Sequence, residues 1–220
     1  MALQFILMGP PASGKGTQGR QLAEREGLAY LSTGAVLRQV LSEGGEIADK
    51  VRPILSAGGY ISDDLMCAIV KPWLEAQSGG WVLDGFPRTV TQDQFLLDWL
   101  AQRGETVDAA VALRVPKEEL IRRIEERVEC PSCQWTGQSS DLEDDGGCLE
   151  CGAKTARRED DSLENFLNRH DEYVRRTVPV IERHRDFGSL IEVDAILPIE
   201  AVAESIRKAV NQRKEDGQAA

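Results

Sequence analysis

The sequence predicts an α/β fold, a five-stranded parallel sheet flanked by helices on both faces. Three observations carry it. Short apolar runs alternate with helical patterns along most of the 220 residues. The first run leads into a glycine-rich turn, Gly9-Pro10-Pro11-Ala12-Ser13-Gly14-Lys15-Gly16-Thr17, that opens a helix. The apolar fraction of 41% and charged fraction of 29% are those of an ordinary globular chain, long enough for one such core plus an inserted subdomain or two.

Leu3 to Met8 reads as a first buried strand. The turn after it aims successive backbone N–H groups at one point, where the helix dipole adds partial positive charge. Lys15 supplies a full charge for the β- and γ-phosphates of a nucleotide, and a hydroxyl just beyond can reach Mg²⁺. The spacing Gly9-x4-Gly14-Lys15 fits a triphosphate-binding loop, although Gly16 holds the usual Ser/Thr slot and Thr17 comes one residue later. Lys15 to Glu26 is helical, and Leu28 to Leu31 is extended and ends in the helix cap Ser32-Thr33-Gly34. Residues 35–77 are largely helical, with breaks at Gly44-Gly45 and Gly58-Gly59. Trp81 to Asp84 is a buried strand ending in a carboxylate, followed by the turn Gly85-Phe86-Pro87-Arg88. Taken alone, Asp84 also suits a turn cap.

Thr91 to Gln102 returns to helix, and Ala109 to Val115 is a third continuous apolar strand. Pro116 starts a helix expected to run into Cys130, which would put Arg123 and Arg127 on one face. From Cys130 to Arg157 the composition shifts to glycine, serine, acid and cysteine, with little periodicity. A long charged helix is expected from Asp160 to about His184, a last strand at Leu190 to Val193, and a closing helix from Pro198 to about Arg213. His170 and His184 lie in no motif and read as surface residues of the charged helix.

The net charge of −11 argues against a nonspecific nucleic-acid binder, which needs basic surface to displace counterions. No apolar run is long enough to cross a bilayer, and Met1 to Met8 lacks the basic n-region and the length of a secretory signal, so a cytoplasmic protein is expected. Of five cysteines, four form Cys130-x2-Cys133, fourteen residues, Cys148-x2-Cys151, the spacing of a closed structural zinc site. Another thiophilic metal or a disulfide also satisfies the pairing, the disulfide less well in a cytoplasmic chain. No lysine or arginine lies between these cysteines, while Asp141, Glu143, Asp144, Asp145 and Glu150 are acidic. That argues against a nucleic-acid ribbon and turns the tip of the insertion to solvent. Cys67 reads as a buried core thiol.

The order and spacing of five motifs resemble the adenylate kinase family along nearly the whole chain. They are Gly14-Lys15-Gly16-Thr17-Gln18, Ser32-Thr33-Gly34 with Arg38, Asp84-Gly85-Phe86-Pro87-Arg88, the paired cysteines, and Arg158-Glu159-Asp160-Asp161 followed by Arg169. Gly16 is the form typical of nucleoside monophosphate kinases. The resemblance implies reversible Mg²⁺-dependent transfer of the γ-phosphate of ATP to AMP, giving two ADP and serving adenine nucleotide homeostasis. It implies a monomer whose partners are ATP, AMP and ADP, with neither nucleic acid nor membrane. It implies a P-loop core from residues 1–31, 62–127 and 158–220, a helical NMP-binding insertion at 32–61, and a small zinc-ribbon-like lid at 128–157.

By the same resemblance, Lys15, Arg88, Arg127, Arg158 and Arg169 are catalytic. Ala12, Ser13, Gly14, Lys15, Gly16, Thr17, Arg123, Arg127 and Leu197 hold ATP, with the Arg123 guanidinium over the adenine. Thr33, Arg38, Gly59, Tyr60, Ile61, Gly85, Phe86, Arg88, Gln92, Arg158 and Arg169 meet AMP. Asp84 and Thr17 organise Mg²⁺ through water, and Cys130, Cys133, Cys148 and Cys151 hold structural Zn²⁺. The acceptor is a phosphate oxygen already largely ionised at neutral pH, its second pKa being about 6, so no general base is needed. Without the resemblance, any single arginine reads as a solvated surface residue, and Gln92 as an exposed residue at a helix start.

Five positions depart from the family pattern. Ala12 replaces a loop glycine, an uncomfortable choice if the position needs positive φ. Ala35 replaces an aspartate, Gly59 a lysine, Val128 the second of two adjacent arginines, and Gln134 a glycine. None removes a residue assigned charge work. Two rival readings remain: a kinase of the same architecture preferring UMP, CMP or GMP, and a nucleotide sensor that has lost catalysis. Thr33 and Gln92 speak against the first, and the intact cationic set against the second.

Overall fold

A computed structural model describes residues 3–142, 146–158 and 160–218. The expectations for Glu143, Asp144 and Asp145 at the tip of the insertion, and for Glu159, lie outside the described residues. The central sheet is parallel and has the order β2-β3-β1-β4-β7, from β1 (Gln4–Met8), β2 (Ala29–Ser32), β3 (Trp81–Asp84), β4 (Ala109–Arg114) and β7 (Leu190–Asp194). Leu7 pairs with Asp84 on one side of β1 and Met8 with Ala112 on the other. The five predicted strands are present, within a residue or two of the expected bounds.

Strand alternation sends Phe5 and Leu7 to one face and Ile6 and Met8 to the other. The first face packs under α1 (Lys15–Glu26) and α9 (Ile199–Gln218), with Leu22, Val111, Val202 and Ile206 in the same cluster. The second carries α2 (Thr33–Glu43), α3 (Glu46–Ser56), α4 (Asp63–Glu75), α5 (Val90–Ala101) and α8 (Val178–Asp186), through Leu37, Val51, Val70, Leu96 and Val180. Burial on both faces is why these strands read as unbroken apolar runs. Ser32, Ser62 and Thr89 cap α2, α4 and α5 by accepting the Ala35, Leu65 and Gln92 N–H groups.

The topology places a cleft. The chain leaves β1 for α1 on one face and leaves β3, its neighbour, for α5 on the other. Loops diverging from adjacent strands open a crevice at their carboxyl ends, where ligands of open α/β sheets bind.

Three expectations are corrected. The helix after Pro116, α6 (Lys117–Glu126), does not reach Cys130. Arg127 turns extended (φ −64°, ψ 131°) and starts β5 (Arg127–Glu129), antiparallel to β6 (Thr136–Gln138). Cross-strand hydrogen bonds, including both backbone bonds between Glu129 and Ala156, replace the helical ones, so Arg123 and Arg127 do not share a helix face. The long charged helix is α7 (Leu163–Glu172), a π-helical turn at Tyr173–Thr177, and α8. Pro179 has no N–H to continue an α-helical ladder, and the wider turn precedes it. His184 is fully buried: Nε2 lies 3.0 Å from Asp93 Oδ1 and Nδ1 2.7 Å from Ser189 Oγ. His170 is half-buried between Phe166 and Tyr173. Packing of α8 on the sheet and on α5 buries His184, and packing of α7 on α6 through Phe166 half-covers His170; neither is visible in a charged sequence. Among the described residues no helix is long and apolar enough to cross a membrane.

Candidate active site

The phosphate loop follows β1 without a gap. Gly9 has φ 149°, and a Cβ there would sit 3.0 Å from the Leu113 carbonyl oxygen and 2.8 Å from Ser13 Oγ. Gly14 (φ 90°) takes the left-handed turn into α1. Ala12 has φ 63°, so a residue with a side chain occupies the conformation that favours glycine. Lys15 Nζ donates to the carbonyls of Gly9 (2.9 Å) and Pro10 (2.8 Å), bridging the mouth of the loop. Burial pushes its pKa down to about 7; Asp84 opposes this, and Arg88, Arg169 and Arg127 add to it.

Lys15 shares one cleft with Met8, Tyr60, Gly85, Arg88 and Arg169. Lys15 and Arg88, expected to serve different nucleotides, line one space. The Arg88 turn is held from four directions. Its N–H donates to Gln92 Oε1 (2.8 Å), its carbonyl accepts the Thr177 hydroxyl (3.0 Å), Nε donates to the Gly85 carbonyl (2.7 Å), and its guanidinium lies 4.9 Å from the Tyr60 ring centre. Gly85 (φ 77°) is a requirement: a Cβ there would meet Thr33 Oγ1 at 2.7 Å and Arg88 Nη2 at 2.8 Å. Thr33 Oγ1 donates to the Gly85 carbonyl at 2.9 Å.

Gln92 is buried, not exposed at a helix start. Its Nε2 donates to Asp63 Oδ1 at 2.8 Å, and Thr89 Oγ1 donates to the same oxygen at 2.9 Å. A primary amide has two N–H groups and two lone pairs, so one of each is left for a ligand edge. Asp63 and Thr177 carry this scaffold and belong to no motif.

Three of the remaining arginines lie at or just beyond the insertion, and the fourth, Arg38, comes from α2. Arg127 pairs with Asp161, Arg158 with Glu129, and Arg169 Nη1 with Asp160 Oδ2 at 2.9 Å, while Arg38 Nε stands 4.0 Å from Glu129. Burial alone would raise the Asp160 carboxyl, but Arg169, Arg158, Arg127 and Arg38 together hold it below the ordinary range. Burial lowers Arg169 to about 10 despite Asp160, and burial and Arg158 lower Arg38. Six cations (Lys15, Arg38, Arg88, Arg127, Arg158 and Arg169) thus face four carboxylates (Asp84, Glu129, Asp160 and Asp161). In a chain of net charge −11, this local excess of positive charge is suited to a polyanion.

Asp84 is 7% exposed, and Tyr30 donates its hydroxyl to Oδ2 at 3.0 Å. Sequence reasoning missed Tyr30, whose phenol is pushed far above its ordinary value by burial and by Asp84 and so remains a donor. The signal was indirect. Gly19 has no side chain where a Cβ would lie 2.8 Å from the Tyr30 ring, and a Cβ on Gly16 would point at Asp84 Oδ2, 3.7 Å away. The unfilled space beside a buried carboxylate, with the Thr17 hydroxyl one residue on, is an all-oxygen setting suited to a hard divalent cation.

On the outer side, Arg123 Nη2 donates to the Ala195 carbonyl at 2.7 Å, beside the exposed Ile196, Leu197 and Ile199.

In the insertion, the four cysteine sulfurs lie within 4.8 Å of one another, with Cys130–Cys151 at 3.5 Å and Cys133–Cys148 at 3.6 Å. A tetrahedral centre with metal–sulfur bonds of about 2.3 Å needs sulfurs about 3.8 Å apart, so the set fits. Each pair sits on a tight knuckle: the Gln134 N–H donates to the Cys130 carbonyl and the Gly152 N–H to that of Cys148, both at 2.8 Å. Gln134 (φ 62°) and Gly152 (φ 72°) occupy equivalent left-handed positions, which explains why a glycine is natural at 134. Arg20 of α1 donates to the Gln134 carbonyl at 3.0 Å, tying this knuckle to the core.

A family model described as adenylate kinase matches residues 7–189. The chain is similar to "Adenylate kinase" of Kosmotoga olearia, 39% identical over 213 residues, covering 94% of this chain and 98% of that one. It is similar to "Adenylate kinase" of Paracoccus denitrificans, 34% identical over 215 residues (96% and 99% covered), and of Archaeoglobus fulgidus, 33% identical over 216 residues (96% and 100%).

Proposed function

The chain belongs to the adenylate kinase family, and we propose how its cleft performs that family's reaction, the reversible Mg²⁺-dependent transfer of the γ-phosphate of ATP to AMP to give two ADP. The observation that carries the reading is that Lys15 and Arg88 line one cleft, each following the carboxyl end of one of two neighbouring strands.

Phosphoryl transfer asks for alignment and charge neutralisation, not covalent help. The loop N–H groups and Lys15 hold the donor phosphates, Lys15 exchanging the Gly9 and Pro10 carbonyls for phosphate oxygens. Arg38 and Arg88 hold the AMP phosphate. The AMP base meets Thr33, Gln92 and the walls formed by Gly59, Tyr60, Ile61, Gly85 and Phe86. Arg158 and Arg169 join that grip on AMP, and with Arg127 they neutralise the charge that spreads over the transferring group. The Mg²⁺ that accompanies ATP would supply charge neutralisation at the donor phosphates. Asp84, fixed by Tyr30, and Thr17 would hold its water shell. Arg123 and Leu197 flank the ATP base.

The core comprises residues 1–31, 62–127 and 158–220, the AMP segment 32–61, and the lid 128–157. Closure of the lid excludes water, which would otherwise accept the γ-phosphate. Cys130, Cys133, Cys148 and Cys151 would hold Zn²⁺, a metal suited to four thiolates, and give this coreless segment its fold. The test is ADP formation from MgATP with AMP, UMP, CMP and GMP. AMP is expected to be the best acceptor. Faster turnover of another monophosphate overturns the acceptor assignment, and tight binding without ADP formation overturns catalysis.

A further inference from the structure

Strand alternation in β5 points Arg127 and Glu129 the same way, toward the cleft, and buries Val128 on the other side. The Glu129 backbone is pinned to Ala156 by two hydrogen bonds of 2.9 Å, so its carboxylate is aimed by the register of the lid base. That carboxylate is in ion-pair contact with Arg158 and lies 4.0 Å from Arg38, which comes from α2 on the other side of the cleft. Asp160 and Asp161 serve Arg169 and Arg127. Asp160 also lies in the field of Arg38 and Arg158, but Glu129 is the carboxylate in ion-pair range of both, two guanidiniums from separate elements, an arrangement that also suits a phosphate oxygen. It is 24% exposed at the side chain, against 12% for Arg158, so rotation of the glutamate toward water opens the seat without moving the backbone.

We propose that Glu129 is an internal counter-ion occupying the place of the acceptor phosphate, so that AMP binds by displacing it and Glu129 sets acceptor affinity. The inference rests on the reading of Arg38 and Arg158 as part of the AMP phosphate grip. The displaced carboxylate gives up both cationic partners, and that loss is subtracted from the binding energy of AMP. Removing the charge removes the competitor. A residue that merely braced Arg158 would act with the opposite sign, because its loss would loosen the arginine and weaken binding.

The experiment is titration calorimetry of the purified full-length chain with AMP and, as the phosphate-free control, adenosine. Glu129→Gln is expected to tighten AMP binding on the order of tenfold, about 1.4 kcal/mol, and to leave adenosine binding unchanged. Glu129→Ile, which suits a strand, is expected to do the same and keeps the test open if the first variant folds poorly. Unchanged or weaker AMP binding overturns the proposal, as does equal tightening of adenosine. Arg38→Ala separates the two levels. If it leaves AMP affinity intact, the phosphate-grip reading itself fails; if it weakens AMP binding while Glu129→Gln does not tighten it, the counter-ion role alone fails.

Discussion

Replacing Arg88 with alanine removes a cation from the cleft it shares with Lys15 while leaving the turn that carries it in place. The Arg88 N–H and carbonyl are held by Gln92 and Thr177, neither of which touches the side chain that is lost. Stability loses the stacking on Tyr60, about 0.5–1 kcal/mol, and the Nε bond to Gly85, about 1 kcal/mol. At about 2–4 °C per kcal/mol for a chain of this length, the melting temperature falls by less than about 8 °C. Catalysis loses more. Nε is occupied by Gly85, and the two terminal nitrogens face the cleft with N–H groups to spare. Two charge-assisted hydrogen bonds to phosphate, at about 1.5–3 kcal/mol each, amount to about 3–6 kcal/mol, or about 10²–10⁴ in kcat/KM. Steady-state ADP formation at varied AMP and saturating MgATP measures this, with thermal melting of the same preparation as the control. Arg88→Lys keeps the charge but not the fork or the stacking, and is expected to fall between the two. A kcat/KM near wild type in a folded Arg88→Ala protein would falsify the assignment.

Cys148→Ser breaks the thiolate set and is expected to release one metal ion per chain and lower the melting temperature; native protein with no bound zinc by metal analysis removes the basis for a zinc lid. Lys15 titrates near 7 in the free protein, being neutral above that pH, whereas phosphate contact favours the ammonium form. ATP binding at pH 8 is therefore expected to take up close to one proton, and its affinity to weaken as pH rises above about 7, by up to about tenfold per unit. Calorimetry in buffers of different ionisation enthalpy reads this directly, and zero uptake at pH 8 contradicts it. Gly19→Ala would place a methyl 2.6 Å from Leu7 Cδ1 and 2.8 Å from the Tyr30 ring. Overpacking of this kind costs about 1–3 kcal/mol, so a melting temperature equal to wild type would show that Tyr30 is not wedged there.

Much of the molecule is legible in local patterns. The strands Phe5 to Met8 and Ala109 to Leu113 are apolar at every position because both faces are covered. The phosphate loop and the cysteine pairs are legible because their geometry is made by neighbours in the chain: a strand, a few residues and a helix in one case, two tight knuckles in the other. Even the conformations of Ala12 and Gln134 were foreshadowed, since each stands where a glycine belongs and each has positive φ. The end of α6 was not legible. A continuous helical pattern gives way at Arg127 because residues 136–138 and Ala156 offer strand partners, and no periodicity within 117–130 records them.

By itself, then, the sequence determined the strands, the donor loop and the thiolate set, because each rests on residue type at short spacing. Tertiary structure alone decided what each of these groups faces. Tyr30 reaches Asp84 across 54 residues, Thr177 reaches Arg88 across 89, and His184 reaches Asp93 across 91, buried where a surface was expected. Glu129 stands between Arg38 and Arg158 by the same kind of long-range placement. Such contacts depend on which surfaces the sheet order and helix packing bring together, and local spacing carries no record of that.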